Sequence, residues 1–372
     1  MQLSAPRLAA RTKPGILRRA PGYLLPGVSL AALLALFSYM LANLLSNAAP
    51  GFGSIPVSPI VVAILLGIAI RNIMGLDQLF QPGLVFSQCR VLQIGVVLLG
   101  IRLSFSDFAV IGISSLPLIV LCISSALLLI NWLAKRLGLS PELGTLIAAG
   151  TSICGATAIM TMAPVVAARN HEVSYAIACI TLFGIIATLI YPPGAHWLFD
   201  GNAQQIGLFL GTAVHDTAQV VGAGMIYQNI YGSEQVLDTA TVTKLVRNLS
   251  MLIVIPVLSI TFHRKHHTGG ERPRWTRLVP MFVIGFALMS IVRTVGDMGT
   301  VPFGALAPEQ WDATVTLLKR AAEFCMLIAM AAVGLNTRLA GLVATGLKPL
   351  GLGLVAACIV GVISSLVIGL FY

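Results

Sequence analysis

Three polar stretches interrupt otherwise apolar sequence, and they hold the residue types that could bind or move a charged solute. The first, AAGTSICGATAIMTMAPVV at 148–166, concentrates Gly150, Thr151, Ser152, Cys154, Gly155, Ala156 and Thr157, with Pro164 following. Glycine lowers helix stability, and serine and threonine offer the backbone alternative hydrogen-bond partners. A span of this composition can unwind at its centre, which is tolerated at membrane depth only where the backbone is buried in protein or lines a watery cavity. The exposed N-terminus of a half-helix would present free N–H groups and a positive dipole end, both suited to an anion. The competing reading is a small-residue packing face between helices.

The second stretch, GTAVHDTAQVVGAG at 211–224, places His215 and Asp216 near the middle of an apolar span, with Thr217 and Gln219 beside them. Ionisable residues are costly at the bilayer centre and face the bundle interior or a cavity. Asp216 can hold a proton or cation, or pair with a basic residue; His215 can relay protons near neutral pH. The third, TVTKLVRNLS at 241–250, sets Lys244 on one helical face with Arg247 and Asn248. These cations could coordinate an anion, Arg in a two-pronged way and Lys as a point charge, or else neutralise Asp216 and Glu323.

Further signals are weaker. CMLIAMAAVGLNTRL at 325–339 is poor in bulky residues around Ala329–Gly334, and its Asn336 could supply a polar contact. Lys319 and Glu323 are an i,i+4 pair, while Arg90 and Arg102 bracket an apolar run and read as interface anchors. HRKHH at 263–267 reads as a solvated basic loop rather than a metal site, and the six cysteines form no C-x-x-C pair.

These residues need elements to position them. The chain has 372 residues, 57% of them hydrophobic and 10% charged; a soluble domain carries about 25% charged residues. The class is an all-α polytopic membrane protein. Eleven segments approach the roughly 20 apolar residues a span requires: 24–45, 56–71, 88–103, 108–132, 142–168, 173–195, 205–229, 241–262, 277–295, 318–336 and 347–371. Residues 1–23 form a basic cytoplasmic tail, and 24–371 form one transmembrane domain. Lys and Arg concentrate on one set of loops, including Arg71, Lys135 and Arg136, whereas Asp107, Glu172, Glu234 and Asp238 fall on the other. The positive-inside rule then puts the N-terminus in the cytoplasm and the C-terminus outside. The net charge of +10 therefore reflects topology, and nucleic acid is excluded as a partner.

ILLGIAIRN (64–72) matches LFLGTAVHD (208–216), and CRVLQ (89–93) matches VRNLS (246–250), each pair five segments apart. That offset predicts one extra helix (24–45) followed by two inverted five-helix repeats, 56–195 and 205–371. A rival match, LLGIRL (98–103) with AVGLNT (332–337), lies seven segments apart.

In combination, GTSICGATAI, AVHDTAQVVGAG and KLVRN resemble a family of conserved bacterial membrane proteins assigned to sulfate export, from about residue 25 to the C-terminus. That family is similar to inverted-repeat transporters of the sodium/proton antiporter and bile-acid symporter type. The resemblance implies two discontinuous helices crossing at the substrate site, here 142–168 around Gly150–Thr157 and 318–336 around Ala329–Asn336. It also implies a place in the bacterial cytoplasmic membrane. Antiporters of that type often carry paired acids at the crossing; 142–168 has none, so an oxyanion fits better.

The expected function is secondary transport, by export, of sulfate or a related sulfur oxyanion. Gly150, Thr151, Ser152, Cys154, Gly155, Thr157, Lys244, Arg247, Asn248 and Asn336 would bind it, and His215 and Asp216 would carry a coupled proton. The partners would be that anion, H+ or Na+, the bilayer and, in a homo-oligomer, further copies of the chain. The alternative is a monovalent cation/proton antiporter centred on Asp216. Neither G-x-S-x-G, H-E-x-x-H nor a phosphate-binding loop occurs, so no enzyme, cofactor or metal is expected.

Overall fold

A computed structural model describes residues 23–47, 57–266, 280–298, 303, 307–338 and 347–372. The expected basic tail, the side chains of HRKHH, and Arg272, Arg274 and Arg277 lie outside the described residues. Among the described residues the regular structure is helical: α1 (Leu25–Asn47), α2 (Pro59–Ile73), α3 (Gln81–Phe86), α4 (Leu92–Leu99), α5 (Phe105–Arg136), α6 (Pro141–Ser152) and α7 (Ala156–Met162) come first. Then follow α8 (Asn170–Leu198), α9 (Ala203–Ala213), α10 (Thr217–Tyr231), α11 (Glu234–Leu249), α12 (Met251–His266), α13 (Met281–Gly296), α14 (Pro308–Asn336) and α15 (Leu347–Phe371). A π-helical turn, Ser87–Val91, joins α3 to α4.

Six of these helical stretches are long and apolar enough to cross a membrane: Leu25–Ser46, Gln81–Arg102, Phe105–Arg136, Asn170–Leu198, Glu234–Phe262 and Pro349–Phe371. α2 and α13 are shorter apolar helices. Local signals mark their ends. Ser104, Ser140 and Asn202 accept backbone N–H bonds at the starts of α5, α6 and α9, and Gly232 closes α10 in the left-handed region at φ 76°.

Two expected spans fold differently. Segment 142–168 turns back on itself: a Cβ on Gly150 would lie 2.8 Å from Ile159 Cγ1, so α7 runs back beside α6. Its two ends meet again where Ser140 Oγ donates to Glu172 Oε1. Glu172 therefore shares an end with Lys135 and Arg136, not with the acidic residues opposite. Segment 205–229 also folds back. Gly207 abuts Thr239 and Gly224 abuts Leu237, so α9 and α10 flank the same level of α11. His196, near the end of α8, bonds Tyr227 Oη at 2.8 Å and stacks on Tyr231, which brings the end of α10 beside the start of α9.

The two hairpins enter from opposite ends of α8 and meet near its middle, where Gln219 donates to Thr181 O at 3.3 Å. The expected second break, around Ala329–Asn336, is absent: α14 is continuous through Asn336, and the break falls at 214–216. The reason is that Val214 and His215 give their carbonyls to a buried lysine instead of to helix N–H groups. The five-segment offset equates the first hairpin with α14, and among the described residues these two differ in form.

The helices group into two bundles. α1–α4, α13 and α14 pack on one another, with α2 crossing α14 so closely that a Cβ on Gly67 would lie 2.8 Å from Leu335 N. α5, both hairpins, α8, α11, α12 and α15 form the other. Between the bundles, α10 meets α14 where a Cβ on Gly222 would lie 3.1 Å from Met330 Sδ.

Candidate functional site

At the hairpin tips four half-helix ends converge, and their charges are sorted. α6 and α9 end there, leaving C-terminal carbonyls with negative partial charge; α7 and α10 start there, presenting positive N-termini. The first tip turns at Gly155, whose φ of 68° and ψ of −128° suit glycine alone. The second turns at Val214–Asp216, in extended backbone.

The negative ends are answered by α11. Lys244 Nζ donates to Ile153 O (3.2 Å), Val214 O (2.9 Å) and His215 O. Arg247 donates from Nε to Ser152 O (2.8 Å) and from its two terminal nitrogens to Thr212 O and Thr151 O. Both side chains are fully buried, and each bonds carbonyls of both hairpins. A buried carbonyl without a donor costs about 1–3 kcal/mol, and an unpaired buried charge costs more. The pair and the carbonyls satisfy each other. In this structure both side chains answer carbonyls: all three ammonium N–H groups of Lys244 are engaged, as are three of the five N–H groups of Arg247.

The positive end of α10 is answered by Asp216. Its carboxylate accepts Thr217 N at 2.8 Å, while Gln219 Oε1 accepts Asp216 N at 3.2 Å, a reciprocal cap. Asp216 stays partly exposed although its neighbours are buried. Asn248 Nδ2 donates to Thr217 Oγ1 at 3.0 Å, tying α11 to this end.

The remaining expected residues divide by polarity. Gly150, Thr151 and Ser152 lie in the last turn of α6, the negative end, and are buried. Cys154 is buried with Sγ 3.2 Å from Met251 Sδ. Thr157, in the first turn of α7, is exposed and at the end that suits an anion. His215 is buried with Nδ1 unpartnered, as are Ser152 Oγ, Thr243 Oγ1 and Asn248 Oδ1. Asn336 is not at the tips among these bonds; it donates to Gln88 Oε1 at 3.0 Å in the other bundle.

Sequence reasoning named Gln219 without giving it a role, and missed Gln88 and the crossing of Gly67 with Gly334. The matched strings ILLG and LFLG held the signal for Gly67, because both glycines of that match sit where a second helix leaves no room for Cβ. Arg102 was misjudged as an interface anchor; its side chain is 1% exposed and ringed by acids.

A helical, multi-pass membrane protein with two hairpins meeting tip to tip is the class these features define. Within it, the chain belongs to the family described as conserved hypothetical protein 698, which matches residues 26–353. It is 35% identical over 332 residues to a UPF0324 membrane protein of Fusobacterium nucleatum, covering 88% of this chain and 92% of that one. It is 36% identical to a UPF0324 membrane protein of Streptococcus agalactiae, covering 91% and 94% of the two chains. A Streptococcus pneumoniae relative of the same name is 33% identical, covering 87% and 92%.

Proposed function

We propose that the protein is a secondary active transporter that carries a small oxyanion of the sulfate class by alternating access, with Asp216 as the proton-coupling carboxylate. The observation behind this reading is the place of that carboxylate: it caps the N-terminus of α10, stays partly exposed and abuts the opposite tip at Gly155. A helix N-terminus attracts negative charge. Deprotonated, Asp216 supplies that charge itself and repels an anion. Protonated, it leaves the α10 amides and the Thr157 hydroxyl to the cargo. Anion and proton then bind together and travel in the same direction. With the anion accumulated inside the cell, the cycle runs outward as export.

In this reading the hairpin-bearing bundle moves against α1–α4, α13 and α14. The eleven apolar segments of the sequence comprise membrane-crossing helices and two hairpins, each returning to its own side. The N-terminus is therefore cytoplasmic and the C-terminus external, in the bacterial inner membrane. Lys135, Arg136 and Arg169 at one end of the hairpin bundle, against Asp107, Glu234 and Asp238 at the other, support that orientation. The reading needs no enzyme chemistry, cofactor or resident metal.

Labelled sulfate uptake into proteoliposomes, with and without an imposed proton gradient, tests it. Wild type should be accelerated by the gradient and Asp216→Asn should not respond to it. Absence of sulfate flux through folded protein would remove sulfate as the cargo.

One observation favours a monovalent cation/proton antiporter instead. With Lys244 engaged by carbonyls, Asp216 is the partly exposed ionisable group at the tips. A sodium or potassium pulse would then release protons from wild type, not from Asp216→Asn, and sulfate would move nothing.

A further inference from the structure

Polar contacts that join the two bundles among the described residues gather at one end, and Arg102 is their centre. It closes the first bundle's Gln81–Arg102 stretch, and its guanidinium reaches Asp238 Oδ1 at 2.8 Å and Glu234 Oε2 at 3.1 Å on α11 of the other bundle. Glu323 Oε1 lies 3.4 Å away on α14, within the first bundle, and Lys319 approaches Glu234 at 3.8 Å. Nearby, Phe105 N donates to Thr294 Oγ1 at 2.8 Å, another contact between the bundles. A cavity of about 600 Å³ opens at this end, lined by Tyr39, Gln228, Arg320, Glu323 and Leu327. One turn below Leu327, Met330 is 1% exposed and closes against Gly222.

We propose that Arg102 is a latch: its ion pairs to Asp238 and Glu234 hold the two bundles together at this end and keep the hairpin tips sealed from the cavity above Met330. The physical case is charge balance. Three carboxylates from two bundles surround one buried guanidinium. Without it Asp238 on one bundle repels Glu323 on the other, and Asp238, with a side chain only 15% exposed, gains water as the bundles part. Glu323 belongs to the same bundle as Arg102 and holds the guanidinium in place when the pairs to α11 separate. The latch serves the transport cycle proposed above, but its own test does not require any solute to move.

The test places a reporter beneath the latch. Met330→Cys in the full-length protein is exposed, in membrane vesicles of defined sidedness, to a membrane-impermeant maleimide from the Arg102 end. The reporter is built in a Cys325→Ser background, because Cys325 shares the tryptic peptide 321–338 with position 330, and its labelling is read by mass spectrometry. Adding Arg102→Gln should raise the labelling rate roughly tenfold, the scale of a modest coupling between two states. Glu234→Gln should raise it less, because that carboxylate is 57% exposed and its loss leaves Asp238 in place. Reversing both charges, Arg102→Asp with Asp238→Arg, should restore slow labelling. Unchanged labelling in Arg102→Gln and Glu234→Gln, in protein that elutes as folded, overturns the latch. If Arg102→Gln fails to fold, Glu234→Gln and the reversed pair decide alone. Faster labelling without any transport would keep the latch and defeat the transport reading; transport with unchanged labelling would do the opposite.

Discussion

Gly155 and Asp216 touch across the two hairpin tips: a Cβ on Gly155 would lie 3.2 Å from the Asp216 Cβ. Each comes from a hairpin that enters at a different end of α8, so this contact is where the two halves of the candidate site become one.

Gly155→Ala tests that contact and the backbone beneath it. Alanine at φ 68°, ψ −128° is strained by roughly 1–3 kcal/mol, and its methyl group presses on Asp216. The thermal unfolding midpoint in detergent should fall, and transport should fall further than stability alone explains. A midpoint equal to wild type would mean that the tip has another conformation.

Lys244→Met and Arg247→Met should act on stability. Either change strands three buried carbonyls, at about 1–3 kcal/mol each. Severe loss of folded protein on size-exclusion chromatography is expected. If instead the midpoint is unchanged and half-saturation by the cargo rises, these cations bind substrate and the clamp assignment fails.

Asp216→Asn keeps the shape of the cap while removing its charge. Uptake at low pH should survive and lose its dependence on pH, since the step that protonation performs has been made permanent. Complete inactivity at every pH in folded Asp216→Asn, where wild type takes up sulfate, would mean that the carboxylate itself is required and would overturn its role as a charge that protonation removes.

A pH effect is expected outside the membrane at Asp297, which follows α13. Burial pushes its carboxyl up, but hydrogen bonds from the Trp311 indole and Arg293 guanidinium outweigh this, so it titrates below its ordinary value of 3.8. A depressed carboxylate stabilises the fold above its unfolded pKa, and that contribution disappears as pH falls through the folded one. Wild type should therefore exceed Asp297→Asn in unfolding midpoint at neutral pH, and the two should converge in acid. A constant gap would assign the effect to packing against Trp311.

How much could be read beforehand differs from residue to residue. The clustering of glycine and hydroxyl residues at 150–157 pointed to a broken helix, because that composition weakens one, and Gly155 is where it breaks. His215–Asp216 announced a buried polar point for the same kind of reason: apolar surroundings make any ionisable residue conspicuous. The amino-acid order also carried the membrane class, through the scarcity of charge.

Direction was not legible. Whether a broken segment continues across the bilayer or turns back depends on what receives its ends, and Ile159 beside Gly150 or Tyr227 beside His196 are contacts no periodicity encodes. Lys244 and Arg247 looked like anion ligands because their spacing set them on one face. Their partners turned out to be carbonyls brought from residues 29 to 96 positions away. Arg102 looked like an interface anchor until α11 and α14 brought acids to it. Local composition controls whether a helix can form, because hydrogen bonds close within one turn. The partner of a charge is chosen by packing, because burial in three dimensions decides which groups must answer one another.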